Sequence, residues 1–296
     1  QSSAVIKDAQ DLGAPPFDLV IGDEAHHCVG KADSPFTTVL DGASIRAKKR
    51  IFMTATPNRL AANIRSRAIN AGVDIIAMDD ESRFGPEFHT LTFGQAIEDD
   101  LLSDYQLLII GVTSEEVAHL TASRTLVELP DGNLTTDAQS LAGMIILLKA
   151  IREYSLSHIV TFHNRINRAR DLCPAITRLN HELPRDQSIS NLRAQTISGE
   201  MRSIERDRIL STFSKSTDAV ELLSNARCLG EGIDVPDIDG IAFLDPRRSQ
   251  IDIAQAVGRA IRKGTNPDKI GTIVVPVLVD ETAGEDPETQ LDQSRF

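Results

Sequence analysis

The sequence predicts an α/β protein built on mostly parallel sheets with helices on both faces. Three observations carry this reading. Short apolar runs rich in β-formers alternate with helical patterns along nearly the whole chain, the rhythm of βαβ units. A hydrophobic fraction of 41% over 296 residues is enough to give each of two ordinary domains a core. A single polar stretch, Ile97 to Tyr105, interrupts the rhythm and divides the chain.

Taken in order, buried strands are expected at Phe17 to Ile21, Arg50 to Met53, Gln106 to Val112, His158 to Phe162, Ala194 to Ile197, Val220 to Leu223, Gly240 to Leu244 and Thr272 to Val279. The clearest helices are Ala142 to Tyr154, Arg165 to Leu179, Met201 to Phe213 and Ile251 to Lys263, each with apolar residues three and four apart. A further helix is expected near Arg59. Glu98, Asp99, Asp100 and Ser103 precede the strand at Gln106, so residues 98–104 read as a hinge between a lobe at 1–97 and another at 105–280. From Glu281 to Pro287 the chain is polar and acidic, and 281–296 reads as a tail that buries little.

With 31 basic against 43 acidic residues the net charge is -12, which argues against a coat that holds nucleic acid by bulk charge; any such contact must be local. The longest apolar runs, Met144 to Leu148 and Ile273 to Val279, are too short to span a bilayer, and Gln1 to Gln10 lacks the pattern of a signal peptide, so no membrane is expected. Cys28, Cys173 and Cys228 are scattered with no CxxC pair, as suits reduced thiols in a cytoplasmic protein. The chain starts at Gln1 and not at Met, and together with its motifs this reads as a segment of something longer.

The strongest string is Phe17-Asp18-Leu19-Val20-Ile21-Gly22-Asp23-Glu24-Ala25-His26, an apolar strand ending in two carboxylates, the form of a Walker B site. Ligands of α/β sheets bind beyond the carboxyl ends of strands, where Asp23 could hold Mg²⁺ and Glu24 could orient or deprotonate water. An acidic turn after a buried strand fits the same string. A second strand runs into Thr54-Ala55-Thr56-Pro57. Those hydroxyls could link the carboxylates to a neighbouring lobe, or serve as turn and N-cap residues. In Gln255-Ala256-Val257-Gly258-Arg259-Ala260-Ile261-Arg262, offsets of four and seven put Gln255, Arg259 and Arg262 on one helix face. A solvated charged face is the plain alternative. It leaves unexplained Gly258, which in a helix interior costs about 1 kcal/mol relative to alanine and suggests close approach of a ligand or backbone. Ser224 to Pro236 is a glycine-containing loop after a strand, equally readable as a phosphate contact or an ordinary turn.

In chain order, Asp23-Glu24-Ala25-His26, Thr54-Ala55-Thr56, Gly230-Glu231-Gly232-Ile233-Asp234 and Gln255-x-x-Gly258-Arg259-x-x-Arg262 resemble motifs II, III, V and VI of the superfamily 2 DEAD/DEAH-type helicases. Gln1-Ser2 resembles the end of a Thr-Tyr-Gln-Ser string found before the DEAH box, and His158 to Asn164 resembles the motif IV strand, so the resemblance reaches to about Pro276. Ser224 to Pro236, followed by Phe243-Leu244-Asp245-Pro246-Arg247-Arg248, looks like the large bacterial helicases related to restriction and phage defence. The resemblance implies RecA-like lobes, with 1–97 the C-terminal part of the first and 105–280 a complete second. It implies ATP with Mg²⁺, and movement on nucleic acid, DNA ahead of RNA. By the same resemblance Asp23 binds Mg²⁺, Glu24 positions the attacking water, and His26 with Gln255 couples nucleotide state to lobe closure. Arg262 is then the arginine finger, Arg259 its neighbour on the γ-phosphate, and Gly232 and Asp234 line the nucleotide edge. Ser224, Asn225 and Arg227 are the candidates for nucleic-acid contact.

One departure stands out. No Gly-x-x-x-x-Gly-Lys-Ser/Thr occurs in the sequence, and Gly30-Lys31-Ala32 lacks both the earlier glycine and the hydroxyl. Without the loop that cradles the β- and γ-phosphates, the chain alone is expected to hydrolyse ATP negligibly and to need the missing N-terminal half-lobe as partner. The first lobe should then show strands without neighbours on one side, an open edge that another copy could cover. A non-catalytic helicase-like scaffold is the competing reading. A metal hydrolase on His26, His27 and Cys28 is a third, opposed by their adjacency and the lack of a fourth ligand. Arg46, Lys48, Lys49 and Arg50 precede a strand and could touch phosphates, with an exposed solvated loop the plainer reading.

Overall fold

The computed structural model describes residues 2–31, 35–58, 67, 70–113, 138–226, 237–245, 250–264, 266 and 268–279. The helix expected near Arg59, the loop carrying Arg227, Gly232 and Asp234, and the 281–296 tail lie outside the described residues. Two compact units are present, residues 1–91 and 92–296.

In the first unit a helix, α1 (Ser2–Asp11), leads to β1 (Phe17–Gly22), which pairs in parallel with β3 (Ala47–Phe52) from Phe17 opposite Ala47 to Gly22 opposite Phe52. A small antiparallel pair joins β2 (Gly30–Lys31) to β4 (Ile75–Ile76), and α2 (Glu81–Phe84) follows. α1 was not foreseen, and one side chain explains how it docks. Gln10 is buried and acts like an extra strand residue. Its amide nitrogen donates to the Arg46 carbonyl at 3.0 Å, and its oxygen accepts from the Arg46 N–H at 2.7 Å. Among the described residues the parallel sheet here has two strands. The alternate residues Phe17, Leu19 and Ile21 of β1 are 42%, 45% and 56% exposed, so β1 presents an apolar row to solvent.

The basic cluster is not a loop. Lys48, Lys49 and Arg50 lie within β3, which starts three residues earlier than expected. Neighbouring main-chain oxygens account for the two arginines. Arg46 donates to the carbonyls of Gln10 and Ala14, and Arg50 to those of Val39 and Ile45. Lys48 pairs with Asp18 at 2.6 Å.

The second unit opens with α3 (Phe93–Glu98), capped by the Thr92 hydroxyl, which accepts from the Gln95 N–H. It then contains β5 (Tyr105–Thr113), α4 (Ala138–Glu153), β6 (His158–His163), α5 (Ile166–Glu182), β7 (Leu192–Ser198), α6 (Ser203–Lys215), β8 (Val220–Ala226), β9 (Gly240–Phe243), α7 (Gln250–Ala260) and β10 (Gly271–Val279). The six strands form one wholly parallel sheet in the order β5-β10-β9-β6-β8-β7.

Adjacent strand residues feed opposite cores, as the two-residue period requires. Ile159, Leu222, Ala242 and Val274 pack with α4 and α5, while Val160, Leu223, Ile241 and Ile273 pack with α6 and α7. Both faces of the sheet are therefore covered, which is why the central strands β6 and β9 are buried along their whole length. Among the described residues no helix is long and apolar enough to cross a membrane.

The compact units divide between Leu91 and Thr92, whereas the polar composition marks 98–104. The physical reason is that this polar segment has partners in the second unit. Ser103 donates its N–H to the Ile261 carbonyl at 2.8 Å, Leu102 forms an antiparallel bridge with Arg262, and Asp100 pairs with Lys263.

Candidate functional site

The carboxylates follow β1 at its carboxyl end. Beyond the last paired residues the main chain stays zipped, since Met53 donates to the Gly22 carbonyl at 2.8 Å and Ala25 to the Met53 carbonyl at 2.9 Å. Gly22 is required here. A Cβ on it would lie 2.9 Å from Cδ1 of Phe52, whose ring stands edge-on against Phe84. Asp23 is exposed, with one oxygen accepting the Glu24 N–H at 2.9 Å.

Glu24 adopts a left-handed backbone conformation, φ 49° and ψ 44°. For a residue with a Cβ this costs on the order of 1–2 kcal/mol, a strain that clusters at functional sites. Although the Glu24 side chain is 38% exposed, its Oε2 atom is buried and makes no hydrogen bond. The His26 Nδ1 atom lies 3.4 Å from it but is already engaged with the Thr54 hydroxyl at 3.0 Å. Thr54 Oγ1 in turn accepts the Thr56 N–H at 3.1 Å, and the Thr56 hydroxyl is buried without a hydrogen bond. The structure thus brings Asp23, Glu24, His26, Thr54 and Thr56 together at the ends of two parallel strands. A buried carboxylate oxygen lacking a donor beside an exposed carboxylate fits a water and a nucleotide-bound cation, the role Asp23 and Glu24 suggest by sequence.

A metal centre on His26, His27 and Cys28 is a different matter. The Cys28 thiol donates to the Phe36 carbonyl at 3.2 Å, and burial pushes its pKa up, so it is held protonated. The His27 ring stacks on Phe36. Among the described residues no three His, Cys, Asp or Glu side chains gather as a metal-binding group.

In the second unit, Gln255 and Arg259 share a face of α7, and Gln255 Nε2 is buried without a hydrogen bond. Arg262 does not continue that face. The helix ends at Ala260, the Arg262 N–H reaches only the Arg259 carbonyl at 3.4 Å, and Arg262 pairs with Leu102 as a strand residue does. The cause is the 99–104 segment, which takes up the carbonyls that a longer helix would need. At Gly258 the structure bears on close approach by protein atoms. The nearest atoms to an added Cβ are those of the Phe93 ring at 3.8 Å, so no protein atom demands a glycine.

Ser224 and Asn225 sit on the fully buried end of β8, and the Ser224 hydroxyl donates to the Ala169 carbonyl of α5 at 2.7 Å. Arg227, Gly232 and Asp234 lie outside the described residues.

Asp245 at the end of β9 was missed. Buried, it accepts the Asn164 N–H at 2.8 Å and pairs with Arg168 at 2.5 Å, holding the turn between β6 and α5. The signal available was a carboxylate directly after an apolar strand, the same one that marked Asp23.

Residues 144–264 match the helicase conserved C-terminal domain. A probable helicase of African swine fever virus (strain Badajoz 1971 Vero-adapted) is 26% identical over 268 residues, covering 89% of this chain and 26% of the viral protein. Among solved structures, the ATP-dependent Type ISP restriction-modification enzyme LlaBIII bound to DNA superposes with a TM-score of 0.75 at 30% identity, over 98% of this chain and 20% of that one. A fragment of a putative HsdR subunit of a type I restriction enzyme from Vibrio vulnificus YJ016 shares the fold, with a TM-score of 0.56 at 21% identity over 94% of this chain and 46% of that one. The chain spans about a quarter of the viral relative and a fifth of the Type ISP enzyme.

Proposed function

Because this chain carries the C-terminal part of a superfamily 2 helicase core, we propose that its paired acids and its arginines are two halves of an ATP-hydrolysing site that drives a longer protein along DNA. The observation that carries this reading is Glu24, strained into the left-handed region with a buried carboxylate oxygen that has no donor. Such a group is poised to accept a proton or a hydrogen bond from water. Asp23 is the ligand for the nucleotide's Mg²⁺, and the cation, when bound, neutralises charge developing on the phosphates. His26, held by Thr54, fixes the turn that carries both acids and, with Gln255, reports nucleotide state between lobes. Thr54 and Thr56 link the two strand ends.

Arg262 is the arginine finger and Arg259 its neighbour on the γ-phosphate, while Gly232 and Asp234 line the nucleotide edge and Arg227 touches the nucleic-acid backbone. No phosphate-cradling loop occurs in the sequence, and the relatives are several times longer. On this reading the intact parent protein supplies that loop, and the chain alone turns over ATP negligibly. DNA is favoured over RNA because the Type ISP enzyme LlaBIII, solved bound to DNA, matches almost the full length of this chain.

The test is DNA-stimulated ATP turnover by the intact parent. Glu24→Gln removes the proton acceptor and is expected to abolish turnover with the unfolding temperature unchanged. A non-catalytic scaffold would show no nucleotide turnover in the parent at all.

A further inference from the structure

Arg262 lies just past the end of α7, at the point where helix carbonyls run out of internal partners and carry partial negative charge. Its own carbonyl is gripped from two directions. Lys269 reaches back from the start of β10 and donates its ammonium to that oxygen at 2.6 Å, and the Ser103 hydroxyl donates to it at 3.3 Å. The flanking residues are fixed too. The Ser103 N–H takes the Ile261 carbonyl at 2.8 Å, and Lys263 pairs with Asp100.

Lys269 is an unusual choice for a connection on the way to a strand. A lysine there would ordinarily keep its ammonium in water, yet this residue is only 8% exposed, and Ser103 only 7%. Burial pulls its pKa down to about 8 although Asp239 and Asp237 act to raise it. A cation is thus kept out of water against its preference, and it donates a hydrogen bond to the Arg262 carbonyl.

We propose that Lys269 and Ser103 are positioning residues for Arg262 in ATP hydrolysis, fixing the direction of its side chain by holding its main-chain carbonyl from two sides. This rests on the reading of Arg262 as the arginine finger. The carbonyl fixes the backbone torsion after Cα, and with the Leu102 bridge it leaves the Arg262 Cα–Cβ bond one orientation. A misplacement of about 1 Å in such a group can cost on the order of 100-fold in rate.

The experiment compares Lys269→Met, Ser103→Ala, Arg262→Ala and the Lys269→Met/Arg262→Ala double variant in the intact parent, reading kcat and KM for ATP with DNA present. Lys269→Met is expected to lower kcat by on the order of 100-fold with KM within about twofold. Ser103→Ala should act in the same direction and less strongly. The double variant should be no slower than Arg262→Ala, because a residue that works through the arginine has nothing left to position. Amide exchange on the 296-residue chain should quicken at residues 100–104 and 259–263 in Lys269→Met and stay slow in α4 and α5. Wild-type kcat in Lys269→Met, or a double variant slower than Arg262→Ala by the full Lys269 factor, would overturn the positioning role while leaving the arginine finger in place. If Arg262→Ala itself keeps turnover, the reading of the site fails, and the proposal with it.

Discussion

Replacing Gly271 by alanine would put a methyl group where the end of α7 meets the first residue of β10. The added Cβ would lie 2.9 Å from the Ala260 carbonyl oxygen, 2.9 Å from Cγ2 of Ile261 and 3.1 Å from the Ala260 carbonyl carbon. Two of these three atoms are backbone, so no rotamer change relieves the clash. Neither side can retreat freely. The Gly271 N–H is bonded to the Asp104 carbonyl at 2.8 Å and pairs with Tyr105, while the helix end is held by Ser103 and Lys269. Forcing a methyl into packed surroundings costs about 1–3 kcal/mol. For a unit the size of residues 92–296 each kcal/mol is roughly 2–4 °C in Tm, so Gly271→Ala should lower Tm by roughly 2–12 °C. Far-UV circular dichroism on the purified chain reads this directly. An unfolding temperature within about 1 °C of wild type would show that the helix end yields at no cost, and the rigid support claimed for Arg262 would be wrong.

Gly258→Ala should do the opposite, because the nearest contact to the new methyl is Phe93 at 3.8 Å and a glycine inside α7 forfeits about 1 kcal/mol. A Tm raised by roughly 2–4 °C is expected, with turnover by the intact parent reduced if a nucleotide approaches that face; an unchanged or lowered Tm would refute the packing argument. Lys269 sets a pH dependence of stability whose sign follows from its lowered pKa. Between about 8 and the ordinary 10.5 the unfolded chain holds a proton that the folded chain has released, so folding gains stability as pH rises through this window. Below it both states are protonated and the burial penalty is fully present. The Tm difference between wild type and Lys269→Met should therefore shift in favour of wild type from pH 7.5 to 10 (chosen to span about 8), and a flat difference would count against the buried ammonium.

Much of the fold was legible because it depends on period. The eight strands and four helices read from the sequence all appear, with ends displaced by up to about four residues, since the continuous apolar runs of buried strands such as β6 and β8 and the three-and-four spacing of the helices are written in the residues themselves. What escaped depends on tertiary partners. α1 docks through Gln10, a polar residue that no hydrophobic pattern flags. α7 stops at Ala260 where helical spacing runs on to Lys263, because Ser103, distant in sequence, and Lys269, seven residues on from Arg262, capture the carbonyls of Ile261 and Arg262. The acids, His26 and the threonines were readable as motifs and do meet. The burial of Ser224 and Asn225 was not legible, because a motif gives residue type and order, and not which way a strand end faces.

The most direct test of the central claim is the DNA-stimulated ATPase rate of the intact parent protein with Arg262 changed to alanine. Loss of an arginine finger should reduce kcat by about 10³–10⁵-fold, with DNA binding in the absence of nucleotide retained. Turnover within about threefold of wild type would contradict the account, because Arg262 would then have no part in stabilising the transition state.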